Sequence, residues 1–131
     1  QGDALVMDQW FAAQASSPRD DVFEDVQRLL NHDHFEITNP NKVRALIGVF
    51  CNQNMMAFHR EDGKGYRFLA DKVLELNKLN PQIAARLLTP LTRWRRFVKD
   101  RSTLMREQLE RVQDEPGLSK DVFEVVSKTL A

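Results

Sequence analysis

A disulfide, a membrane span and a dominant charge are all missing from this sequence, and each absence narrows what it can be. One cysteine, Cys51, in 131 residues rules out an intrachain disulfide and favours a reducing compartment, so a cytoplasmic location is expected. No apolar run approaches the roughly 20 residues that a membrane-spanning helix needs. Nineteen basic residues balance nineteen acidic ones, so no global charge draws the chain to nucleic acid or to a membrane surface. His-Glu-x-x-His and Gly-x-Ser-x-Gly do not occur, which removes the zinc-peptidase and serine-hydrolase centres built on those spacings. No basic segment followed by an apolar run opens the chain, so no signal peptide is expected. The start at Gly2-Asp3-Ala4-Leu5 without a methionine suggests a piece of something longer.

What is present is helical. At 15.2 kDa, with 42% hydrophobic and 29% charged residues, the chain is expected to be one domain, 1–131, large enough to bury a single core. Five prolines and five glycines act as punctuation. Ser17-Pro18, Asn39-Pro40 and Asn80-Pro81 each pair a small polar residue with proline. The side-chain oxygen can cap an orphan amide, and proline gives up a donor that has no partner in a first turn. Between these marks, apolar residues recur at helical spacing. Val22, Phe23, Val26, Leu29 and Leu30 form one set, Val43, Leu46, Ile47 and Phe50 a second, and Phe68, Leu69, Val73, Leu76 and Leu79 a third. Helices are expected over 3–15, from Pro18 to Leu30, over 41–52, 66–79 and 81–88, as one long segment 91–112, and over 120–130 behind a Ser119 cap. The fold class is therefore all-α, a right-handed α-solenoid-like superhelix of antiparallel helix pairs of the ARM/HEAT kind. Val22-Phe23-Glu24 and Val122-Phe123-Glu124 hint at a repeat, but amphipathic helices produce such matches by chance.

Each chemical candidate has a plainer explanation. His32 and His34 flank Asp33 near a helix end; side chains two apart diverge on a helix, and no third ligand is placed beside them. Histidine is favoured at a helix C-terminus by the dipole. Cys51 follows Phe50 on an apolar face with no base nearby and reads as a small core residue. Gly63-Lys64-Gly65 lacks the first glycine and the Lys-Ser/Thr of a phosphate loop, and fits a helix-entry turn that needs positive φ. Trp10, Phe11, Met55 and Met56 read as core. No catalytic residue and no metal ligand is assigned.

Basic residues are concentrated near the end. From Arg86 to Arg111 there are eight against three acidic residues, with Trp94 and Phe97 among them. Single-stranded nucleic acid binders use that mixture, but the i, i+3 spacing of the two rings turns both to the core, with Arg95, Arg96 and Lys99 snorkelling. Arg44 and Arg86 stand apart from this cluster. Each lies one turn into a helix begun by Asn-Pro, where a guanidinium is held more firmly than on a loop and can line a polar cleft as well as form a surface ion pair.

Three blocks carry a resemblance: Asn39-Pro40-Asn41-Lys42-Val43-Arg44-Ala45-Leu46-Ile47-Gly48, then Phe58-His59-x-x-Asp62-Gly63-x-Gly65-Tyr66-x-Phe68-Leu69, then Leu76-Asn77-x-x-Asn80-Pro81-Gln82-x-Ala84-x-Arg86-Leu87. With Leu5-Val6-Met7-Asp8-x-Trp10-Phe11 at the start and 118–131 at the end, they closely resemble the C-terminal domain of bacterial aminopeptidase N, the alanyl aminopeptidase type of monozinc metallopeptidase. Lys64 and Lys42 depart from it, standing where a small residue and arginine are frequent. The resemblance implies the C-terminal part of the C-terminal domain of a larger aminopeptidase, itself without catalytic residues or cofactor. Zinc and the catalytic groups would lie in an upstream domain of the same polypeptide. This helical part would enclose the active-site cavity and limit entry to small peptides. Arg44 and Arg86 match the arginines that line the substrate route and meet the peptide's C-terminal end. No nucleic acid and no membrane partner is implied. The alternative is a stand-alone helical-repeat module whose basic 86–111 face docks an acidic protein or nucleic acid.

Overall fold

The computed structural model describes residues 2–131, and these contain helix, turn and loop but no strand. Two compact units divide the chain, one ending at Phe58 and one running from His59 to Ala131.

The first unit holds α1 (Gly2–Ala15), α2 (Val22–Leu29), α3 (Pro40–Val43), a π-helical turn (Arg44–Gly48), α4 (Val49–Gln53) and α5 (Met55–Phe58). Asn39 starts the central run as its sequence predicts: its Oδ1 accepts from the amides of Asn41 at 3.0 Å and Lys42 at 3.4 Å. The π turn then widens the helix, so that successive side chains lie closer in angle, and Ala45, Leu46 and Ile47 are all buried. α1 packs on this turn and on α2 and α4. Phe11, Val26, Leu46, Ile47, Phe50 and Phe58 are fully enclosed, each burial favouring the fold by about 1.5–3 kcal/mol. Polar side chains join the helices. Lys42 Nζ, in a buried side chain, reaches Asp8 Oδ1 at 2.5 Å and the Ala4 carbonyl at 3.2 Å. Asn54 Nδ2 donates to the carbonyls of Ala15 and Ser17, both at 2.8 Å. Asp25 accepts from Arg19 and Arg28.

Four expectations fail in this unit. Ser17-Pro18 does not start a helix; α2 begins at Val22 behind Asp21, whose side chain caps nothing. Ser17 Oγ is taken by the amide and Nε of Arg19, and its carbonyl by Asn54, which fixes the segment as a turn. Trp10 is 39% exposed, Met55 54% and Met56 87%, so none of the three is core.

The second unit holds α6 (Lys64–Leu79), α7 (Pro81–Leu87), a 3₁₀ helix (Thr89–Arg96), α8 (Lys99–Gln113) and α9 (Lys120–Leu130). α6 packs against α7 and α8, and α9 against α7 and α8. Tyr66, Leu69, Leu76, Leu91, Met105 and Leu109 are among its enclosed side chains. Asn80 caps α7 by accepting from the Ile83 amide at 3.2 Å, and Ser119 caps α9 through the Val122 amide at 3.2 Å. The single helix expected over 91–112 is instead two. Phe97 and Val98 are extended, with ψ of 159° and 157°, because Phe97 leaves the helical path to stack on the His59 ring at 4.6 Å. Among the described residues no helix is long and apolar enough to cross a membrane.

Candidate functional site

Arg44 and Arg86 sit on the same local device in different units. Arg44 follows the Asn39-capped first turn at the start of the π turn; it is exposed, and its Nη2 donates to Asn41 Oδ1 at 2.5 Å. Arg86 lies in the last turn of α7, exposed, with its carbonyl accepting from Thr89 Oγ1 at 2.8 Å. Its side chain enters a groove of about 420 Å³ that α7 and α9 form, with Gln82 and Ala85 on one side and Asp121, Glu124, Val125 and Lys128 on the other. The α9 residues were missed from sequence. Their signal was there: 121, 124, 125 and 128 fall on one helix face at i, i+3, i+4 and i+7.

The remaining candidates resolve into structure. The Cys51 thiol is buried, and that burial pushes its pKa far up, so it stays protonated and unreactive. His32 Nδ1 accepts from the His34 amide at 3.0 Å, and no group of three metal-ligating side chains is found among the described residues. Gly63 has φ of 76° and opens α6, while Asp62 Oδ1 accepts from the Lys64 amide and from Arg60 Nε, both at 3.0 Å. That amide is thus engaged within the turn rather than pointed at a phosphate. Desolvation opposes the Asp62 carboxylate, but these bonds with the charges of Arg60 and Lys64 win and hold its pKa below the usual range.

His59 is half-buried and belongs to a built cluster. Its Nδ1 and the Tyr66 hydroxyl share a hydrogen bond of 2.7 Å, and Arg101 Nε donates to the His59 carbonyl at 3.0 Å. Burial first and the Arg101 charge second lower the imidazole pKa. Burial raises that of Tyr66 against the pull of Arg101.

Much of the basic stretch is engaged with the protein's own groups. Four of its eight cations bind the protein itself: Arg95 the carbonyls of Thr129 and Ala131, both at 2.8 Å, Arg101 that of His59, Arg106 the Glu110 carboxylate at 3.0 Å, and Arg111 Asp71 at 2.6 Å. Trp94 is not turned wholly inward; its Nε1 donates to the Thr129 carbonyl at 3.1 Å, with the Arg95 guanidinium 4.4 Å above its ring.

Helices joined by short turns, several of them opened by a side-chain cap, make up all the described regular structure, and the chain is of the all-helical class. The chain belongs to the family described as "Domain of unknown function (DUF3458_C) ARM repeats", which matches residues 1–131. It is similar to aminopeptidase N of Haemophilus influenzae, 52% identical over 130 residues. Aminopeptidase N of Caulobacter vibrioides is 49% identical over 126 residues, and that of Escherichia coli 47% over 127. These alignments take in 99%, 96% and 97% of the chain but 15% of each relative's length. The crystal structure of Legionella pneumophila aminopeptidase A in complex with aspartic acid matches 98% of the chain and 15% of its own, with a TM-score of 0.92 at 36% identity.

Proposed function

We propose that this chain is the non-catalytic C-terminal helical part of a cytoplasmic, zinc-dependent aminopeptidase N, which removes N-terminal residues from small peptides. The observation that carries it is the match of almost the whole chain to 15% of aminopeptidase N relatives from three bacteria. The buried, protonated Cys51 suits a reducing cytoplasm. In this reading the upstream catalytic domain of the same polypeptide supplies zinc and its water-activating chemistry. The helical part encloses the cavity and restricts it sterically to short peptides. Arg44 and Arg86 line the substrate route. A guanidinium offers donors in a fixed fork that match a carboxylate, so each can meet the free C-terminus of a peptide. The Asn-Pro caps hold the backbone beneath both arginines, while their side chains remain exposed to a ligand.

A group that contacts the far end of a substrate contributes equally to ground and transition states, so its loss raises KM and spares kcat. In the intact aminopeptidase, Arg86→Ala and Arg44→Ala are expected to raise KM for tetrapeptides about 3- to 10-fold. Amidated peptides should respond less. A large fall in kcat at unchanged KM for both variants would overturn the role. Hydrolysis of an alanyl substrate by the 131-residue chain alone would overturn the non-catalytic reading.

A further inference from the structure

The α7–α9 groove holds more than Arg86. Arg86, Asp121, Glu124 and Lys128 all line it, and none of these four side chains makes an ion pair or hydrogen bond among the described residues. Some charges elsewhere in this unit do pair: Lys72 with Glu75 at 3.0 Å, Arg106 with Glu110 at 3.0 Å, Arg111 with Asp71 at 2.6 Å. Glu124 and Lys128 stand at i, i+4 with the acid first, the order that favours an ion pair on a helix, yet they do not form one. Two cations and two carboxylates thus face one concavity of about 420 Å³, within the range of small-ligand sites. A ligand of a single charge would be attracted by half of this set and repelled by the other half. One that carries an anion and a cation a few ångströms apart can satisfy both halves.

We propose that the groove is a subsite for a peptide C-terminal residue with a basic side chain, lysine or arginine. Its carboxylate is met by Arg86 and Lys128, and its ammonium or guanidinium by Asp121 and Glu124. The proposal rests on the reading that Arg86 meets the distal end of the substrate, and adds a preference for which residue stands there. It makes Asp121, Glu124 and Lys128 specificity-determining residues remote from the chemistry.

The test uses the intact aminopeptidase with Ala-Ala-Ala-Lys, Ala-Ala-Ala-Glu and the amide of the lysine peptide. The wild-type KM should be lowest for the free lysine peptide. Exposed ion pairs are weak, so each lost contact should cost about 3-fold in KM. Lys128→Gln should raise KM for both free acids more than for the amide. Asp121→Asn with Glu124→Gln should raise KM for the lysine peptide and erase its advantage over the glutamate peptide. Charge reversal by Glu124→Lys should turn the preference toward glutamate. If Arg86→Ala raises KM while the α9 variants leave the lysine-to-glutamate ratio untouched, the subsite is wrong and the distal-end reading survives. If Arg86→Ala is also silent, both fall.

Discussion

Asn77 shows what single residues do here that no pattern announces. It is buried; its Oδ1 accepts from the Ser119 amide at 2.8 Å and its Nδ2 donates to the Gly117 carbonyl at 3.4 Å, tying α6 to the turn that opens α9. Replacing it by Ala leaves a backbone donor and a carbonyl without partners, and should cost about 2 kcal/mol in urea unfolding; a loss below about 0.5 kcal/mol would show water substituting freely. From sequence, Asn77 was only one term in a family motif, because a buried asparagine and an exposed one look alike on a helix. Lys42 is similar: nothing local in the sequence marks its partner, and only folding places Asp8 beside it. The glycines were more legible. Gly63 and Gly117 both have positive φ, but a Cβ on Gly63 would meet the Leu104 methyls at 3.3 Å, whereas one on Gly117 would meet nothing within 4 Å. Gly117→Ala should therefore lose about 1 kcal/mol from backbone strain alone, and Gly63→Ala more, since Leu104 must also shift. Equal losses in thermal or urea unfolding would refute the steric difference.

At the level of elements, helix starts that carry their own cap could be read and those decided by distant partners could not. Asn39-Pro40 and Asn80-Pro81 satisfy their first-turn amides locally. Ser17-Pro18 has the same letters, but Arg19 and Asn54 claim Ser17. The break at Phe97 had no glycine or proline to mark it; its cause is the His59 ring, far away in sequence. That contact should make the second unit sensitive to pH. In the fold the imidazole is held below its ordinary value of 6.5, by burial and then by Arg101. The unfolded chain therefore binds more protons as pH falls below 6.5, and the stability present above that value is lost as pH drops toward the folded pKa. The urea midpoint should fall between pH 7.5 and about 5.5, and His59→Gln should flatten that slope. An unchanged slope in the variant would place the effect elsewhere.

Over the whole molecule, charge balance and an uncovered apolar face act together. The formal charge is zero and the pI near 7.0, so at neutral pH no net repulsion keeps copies apart. α1 buries Phe11 and Ala15 yet shows Leu5, at 61% exposure, and Val6, at 59%, on its outer side beside Trp10. The helix is apolar around much of its circumference, which is the character of a helix covered on more than one side. In the 131-residue chain by itself that surface meets water. The isolated chain should accordingly self-associate near pH 7, with a sedimentation coefficient that rises with concentration. Because burial of apolar area drives it, added salt should not reverse the association. Leu5→Glu with Val6→Lys keeps the net charge and removes the apolar surface, and should restore a monomer. Should the parent chain stay monomeric across the concentration series, or the double variant associate as strongly, the α1 face is not the adhesive surface.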